Sequence, residues 1–302
     1  MKLSNSPISR RQFLQTLGAL AGSLSIAPTA FASSIELKEL TVTIPNLPPS
    51  FSGYRIGFLS DLHLGVWVTN EEIESAVLKL RLAKIDIALV GGDLIGLSDG
   101  FPGGLIPYAP NKEFKRMSKS ERPAAIFNRV ADLLSPLRPP DGIHAVYGNH
   151  DNWVNPKLCA DSLTTRKINL LVNSKFEVRR GPDILTLLGP DDYWTGSPYL
   201  VVPPKKEANE LRVVLAHNPD YVSYLLTKTS YEVDIALCGH THGGQIKLPI
   251  IGPLFYNLED LRLAEGLYTS GNTHVFTTRG IGMVELPLRI NCPPEVNVIT
   301  LV

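Results

Sequence analysis

Aspartate, histidine and asparagine recur in this chain directly after short apolar runs, in spacings suited to gripping a metal ion. Asp61 and His63 follow the run that begins at Arg55, and Gly91-Gly92-Asp93 follows Ile85–Val90. Gly148-Asn149-His150-Asp151 follows Gly142–Tyr147, and His217-Asn218-Pro219 follows Leu211–Ala216. Gly239-His240-Thr241-His242-Gly243-Gly244 follows Asp234–Cys238. Five of the seven histidines (His63, His150, His217, His240, His242) lie in these turns, and His144 and His274 read as structural or surface residues. In an extended backbone, residues two apart project to the same side, so each Asp-x-His or His-x-His pair is expected to face one site. The flanking glycines permit tight turns and close backbone approach. Cys238 falls within the run before the last turn and reads as core.

Elements that could position these turns alternate along the chain. Strands are expected at Arg55–Ser60, Ile85–Val90, Gly142–Tyr147, Ile184–Leu188, Leu211–Ala216 and Asp234–Cys238, with helices from an Asn70 cap to Leu82 and over Pro123–Leu134. The tail from Tyr268 to Leu301 reads as consecutive strands. This alternation marks an α/β fold, in which ligands bind outside the carboxyl ends of strands. Residues 98–122 and 189–209 break the rhythm as long loops and are expected at the rim of the site.

The 302 residues carry 29 basic and 29 acidic side chains, so no net charge draws the chain toward nucleic acid, and no nucleic-acid partner is expected. The cysteines at Cys159, Cys238 and Cys292 are too scattered for a zinc ribbon and read as buried small residues, with a Cys159–Cys292 bridge left open. At the N-terminus, Ser9-Arg10-Arg11-Gln12-Phe13-Leu14 precedes a weakly apolar run, and Ala30-Phe31-Ala32 offers a small-x-small cleavage pattern. Paired arginines in that setting resemble a twin-arginine (Tat) export signal. The expected organisation is a signal peptide over residues 1–32 and one domain over 33–302. The Tat translocase is then a transient partner, and the periplasm or cell surface the destination, with retention as a membrane anchor left open.

The ordered series Asp-x-His, Gly-Asp, Gly-Asn-His-Asp, His and Gly-His-x-His, from Asp61 to His242, resembles the calcineurin-like metallophosphoesterase superfamily. Gly239 to Gln245, Arg279-Gly280-Ile281-Gly282, Leu286-Pro287-Leu288-Arg289, Pro293-Pro294-Glu295 and the Asp191-Asp192-Tyr193-Trp194-Thr195-Gly196 loop are similar to its YkuE/YaeI-type branch. The resemblance implies a four-layer α-β-β-α sandwich of two mixed sheets flanked by helices. It also implies two divalent ions, with Asp61, His63 and His242 on the first, Asp93 bridging, and Asn149, His217 and His240 on the second. Such nitrogen and oxygen shells suit Mn²⁺, Fe or Zn²⁺, and folding before export favours Mn²⁺. His150 is then left to face the phosphate, with Asp151 expected to orient its ring.

The implied activity is phosphoester hydrolysis by a metal-bridging hydroxide, acting on a phosphodiester such as a lipid head group, wall polymer or nucleotide. The alternatives are a phosphomonoesterase, a UDP-2,3-diacylglucosamine-type pyrophosphate hydrolase and a metal-loaded wall-binding protein without turnover. Phe101, Leu105, Ile106 and Tyr108 beside Lys112, Lys115, Arg116 and Lys119 suggest contact with a membrane or a lipid-linked substrate, set against a lid that packs on the body. Arg279 stands between two readings, a phosphate contact and a structural salt bridge.

Overall fold

Two six-stranded mixed sheets with helical cover on their outer faces form the body of the computed structural model, which describes residues 34–96 and 112–302. The first sheet runs β1 (Glu36–Val42), β14 (Glu295–Leu301), β2 (Arg55–Leu59), β3 (Ile87–Val90), β4 (Ile143–Ala145) and β5 (Asn169–Leu170). The second runs β12 (Gly266–Ser270), β13 (Thr273–Thr277), β9 (Ile235–Cys238), β8 (Glu210–Leu215), β7 (Asp183–Gly189) and β6 (Ser174–Arg180). A small hairpin, β10 (Lys247–Leu248) with β11 (Gly252–Pro253), follows the His240 turn. Strands β2 to β5 are parallel, whereas β14 enters between β1 and β2, antiparallel to β2. In the second sheet the central strands β7, β8, β9 and β13 are parallel, and β6 and β12 are antiparallel edges.

Period-two alternation builds the layers. Ile56 and Phe58 of β2, Ile87 and Leu89 of β3, Leu211, Val213 and Leu215 of β8, and Ile235 and Leu237 of β9 all meet in one core between the sheets. Their alternates point outward: Leu59, Ala88 and Val90 pack beneath α1 (Asn70–Leu82), α2 (Arg122–Leu134) and α4 (Pro156–Thr165). Val214, Ala236 and Cys238 pack beneath α5 (Pro219–Lys228). A short helix, α3 (Asn149–Val154), begins where β4 ends. This is the expected four-layer α-β-β-α sandwich.

Several boundaries differ from the sequence expectation. The first cap is Thr69 rather than Asn70: its hydroxyl accepts from Glu72 N–H while the Glu72 carboxylate accepts from Thr69 N–H, a reciprocal capping box. The tail is not continuous strand: residues 278–294 lie outside the main sheets and pack onto the functional turns. The cysteines are free and buried, so no Cys159–Cys292 bridge exists. Phe101, Leu105, Ile106 and Tyr108 lie outside the described residues. Lys112, Lys115, Arg116 and Lys119 are exposed, and Phe114 between them is buried in the core beneath the helices. No described helix is long and apolar enough to cross a membrane.

Candidate metal centre

All five functional turns open at the same edge of the two sheets, and the Asp-x-His and His-x-His pairs do not take the extended backbone that their spacing suggests. Strand β2 stops at Leu59, and Asp61, His63, Asp93, His240 and His242 all take left-handed φ, between 45° and 71°. Left-handed backbone at a non-glycine residue costs roughly 1 kcal/mol or more and persists where surrounding structure fixes it. Here a ladder of amides does so: Asp61 N–H donates to Gly92 O and His63 N–H to Asp93 O, both at 3.0 Å. His240 N–H donates to the Asp61 carboxylate at 2.9 Å. The paired residues therefore converge through kinked turns, not through strand alternation. Glycine is required where turns touch: a Cβ on Gly148 would collide with the Asp93 side chain and backbone, and one on Gly239 with Ser60 and Asp61.

Two donor clusters result. Ligand atoms of Asp61, His63 and His242 lie within 4.8 Å of one another, and so do those of Asp93, His217 and His240. The Asp93 carboxylate joins them, its Oδ2 standing 3.4 Å from His63 Nε2 and 3.3 Å from His217 Nε2. Asn149 Oδ1 is 3.2 Å from His217 Nε2. All seven residues are buried.

The chemistry of this donor set fits cations. Burial drives His63 and His240 down to about 3 and holds His242 well below the usual histidine range, so these rings are neutral and present lone pairs. Yet ring nitrogens face each other at 3.2 Å, His63 Nε2 toward His242 Nε2 and His240 Nδ1 toward His217 Nε2, an arrangement that needs a proton or a cation between them. At His217 burial acts downward but the Asp93 charge outweighs it, raising the ring to about 10; without metal a proton takes the cationic place. At Asp93 burial acts upward, and His217, His150 and His63 nevertheless hold it well below the carboxylate range. Asp61 is pushed up to about 6 by burial. Outer contacts fix the rings: His217 Nδ1 lies 2.7 Å from Gly91 O, which turns Nε2 inward.

His150 stands beside both clusters. Its ring centroid is 4.6 Å from that of His63, a ring nitrogen lies within 4.8 Å of His63 and Asp93 ligand atoms, and its backbone N–H donates to Asp93 Oδ1 at 2.8 Å. Asp151 has different partners from those expected. Its Oδ1 accepts from Leu94 N–H and its Oδ2 from Gly148 N–H, each at 2.9 Å, so the carboxylate ties the end of β3 to the start of α3 instead of orienting His150. Arg279 is a structural salt bridge, paired with Glu295 and Glu36. His144, held by Asp141 O and Asn169, and His274, beside Thr269, stay outside the site.

Sequence reasoning assigned no role to Arg289. This buried guanidinium donates to the carbonyls of Gly282, Arg279, Cys292 and His242, joining the 279–282 turn to the ligand turn at His242. The 189–209 loop does reach the rim, where Trp194 sets its ring at 84° to His240 with centroids 4.4 Å apart.

Residues 54–244 match the family model described as calcineurin-like phosphoesterase. The chain is 32% identical to the Escherichia coli protein named phosphodiesterase YaeI, over 98% of this chain and 100% of that one. It is 31% identical to the metallophosphoesterase YkuE of Bacillus subtilis, over 97% and 98% of the two chains. Among solved structures, a dimetal phosphatase from Danio rerio aligns over 76% of this chain and 88% of its own, at 14% identity and a TM-score of 0.46. With the five turns in order and the match spanning both sheets, the chain belongs to the calcineurin-like metallophosphoesterases, hydrolases of phosphoester bonds.

Proposed function

We propose that this chain is an exported phosphodiesterase with a dinuclear centre, filled natively by Mn²⁺. The observation that carries the reading is Asp93, whose single carboxylate stands between His63 and His217 and so unites two donor clusters. Asp61, His63 and His242 would hold one ion, Asn149, His217 and His240 the other, and Asp93 both. When bound, such a pair of ions polarises the phosphate oxygens and acidifies water for in-line attack. His150, whose backbone amide donates to Asp93, stands outside this ligand assignment and would protonate the leaving oxygen. The diester preference is supported by the likeness to the relative named a phosphodiesterase, which the chain covers end to end. Export rests on the Arg10-Arg11 motif and the Ala30-Phe31-Ala32 pattern, which lie outside the described residues.

The test is metal reconstitution of the stripped full-length protein, assayed on bis-p-nitrophenyl phosphate and p-nitrophenyl phosphate. Mn²⁺ is expected to restore diester turnover above monoester turnover. Asp93→Ala should bind less than one ion per chain and be inactive. His150→Ala should keep both ions with kcat lower by about 10²–10⁴-fold. Two bound ions with no turnover would instead favour a binding role, and preference for the monoester would make the chain a phosphomonoesterase.

A further inference from the structure

Beside the metal centre, the loop from Asp191 to Ser197 is held far more firmly than an exposed loop needs. Asp192 Oδ2 accepts from Trp194 N–H, Thr195 N–H and the Thr195 hydroxyl, at 3.0, 2.8 and 2.6 Å. Asp191 accepts from Asp192 N–H and Ser197 N–H, and Asn152 of α3 donates to the Thr195 hydroxyl at 2.9 Å. A Cβ on Gly196 would displace the Asp191 carboxylate from the bonds it makes here. What this bracing presents is aromatic and open: Trp194 is 39% and Tyr193 38% exposed, although Trp194 leans on the buried His240. Behind the loop, Tyr221 supports Tyr193 at 6.0 Å between centroids.

A second, independent observation lies in the same loop. Asp192 is 2% exposed, and its other oxygen, Oδ1, has no hydrogen-bond partner among the described residues. Two residues on, Trp194 packs against His240, which brings this loop to the metal centre. Buried acceptors are normally satisfied; this one is closed to solvent, so a ligand donor reaches it as the side chains over it move aside.

We infer that Trp194 and Asp192 form a subsite for the retained arm of the phosphodiester, taking an arm that carries a ring with a flat apolar face and a hydroxyl or N–H donor, as in a sugar or a nucleoside. This rests on the phosphodiesterase reading. The ring stacks on the indole, and the donor bonds Asp192 Oδ1. The assignment to the retained arm rests on ring neighbours: the proton donor His150 packs on Trp153, with centroids 5.2 Å apart, whereas Trp194 packs on His240.

The experiment uses the metal-restored full-length protein and p-nitrophenyl phosphodiesters that share the leaving group and differ in the other arm: methyl, cyclohexyl, glucosyl or 5′-thymidyl. Wild-type kcat/KM should rise from methyl to cyclohexyl, and again to the glucosyl or thymidyl ester, by on the order of 10-fold in total. Whichever of the last two is higher identifies sugar or base. In Trp194→Ala the ratio of ring-bearing to methyl ester should fall toward 1, and Trp194→Phe should keep most of it. An unchanged ratio in a folded Trp194→Ala protein overturns the subsite while leaving the phosphodiesterase reading intact. No turnover of any diester by the wild type removes that reading and the subsite with it.

Discussion

Asp151 shows how a motif residue can serve a reaction without touching it. Both carboxylate oxygens are engaged by backbone amides, one from the Asp93 turn and one from the Asn149 turn. Burial pushes its own carboxyl up to about 7, so the site pays in electrostatics for a clamp that holds two ligand turns at fixed separation. Removing the carboxylate leaves two buried N–H groups without acceptors, at about 1–3 kcal/mol each. Asp151→Ala is therefore expected to lose roughly 2–4 kcal/mol of stability by denaturant unfolding, together with metal affinity. A residue that only oriented His150 would lower kcat and leave the unfolding midpoint where it was; that outcome would overturn the clamp.

At the scale of elements, the ligands sit on turns that other turns must hold, and Arg289 is the joint between two of them. Its charge meets carbonyls of residues 242, 279, 282 and 292 rather than a carboxylate, which makes it a fork that fixes distances between loops. Hydrogen bonds to a charged group contribute about 1.5–3 kcal/mol each, so Arg289→Met should cost more than 3 kcal/mol and loosen His242. Metal analysis should find the ratio falling from two ions per chain toward one, with Arg289→Lys between the two; a full complement of ions in the Met variant would deny the joint. Such a joint leaves little trace in a sequence, because its partners are backbone carbonyls that any residue supplies. The ligand turns are legible for the opposite reason: imidazoles and carboxylates directly after apolar runs have few other uses. The central strands are legible too, since burial on both faces makes them continuously apolar, as in Ile87–Val90. Strands β1 and β6 escape notice because Glu36–Val42 and Ser174–Arg180 lie at sheet edges and carry charges along their exposed faces. The left-handed turns at Asp61, His63, Asp93, His240 and His242 were unreadable, because nothing in an aspartate or histidine announces that conformation.

Across the whole molecule, the centre is where the two sheets are tied together. Asp61, Asp93 and Asn149 come from the ends of β2, β3 and β4 in one sheet, and His217 and His240 from the ends of β8 and β9 in the other. Below them the sheets adhere chiefly through apolar packing, with Phe58 edge-on to Phe276 at 6.5 Å, and Arg180 of β6 reaches Asp86 and Asp141 beside the first sheet. At the site edge the same sheets bring buried carboxylates and imidazoles face to face, and without cations these groups must share protons or repel. Ions that bind only the folded chain stabilise it by mass action, by about 2.7 kcal/mol for each site at a free concentration 100 times its Kd. Two sites give about 5 kcal/mol, and for a body of this size 1 kcal/mol moves Tm by about 2 °C. Chelation is therefore expected to lower Tm by roughly 10 °C in one cooperative transition, with amide exchange rising together at the ends of β2, β3, β8 and β9. Asp93→Ala should start near the chelated value and gain little when metal is added. If the stripped protein keeps its Tm, or if exchange rises in one sheet only, the ions do not bind the sheets to each other, and their part in this fold is confined to the reaction.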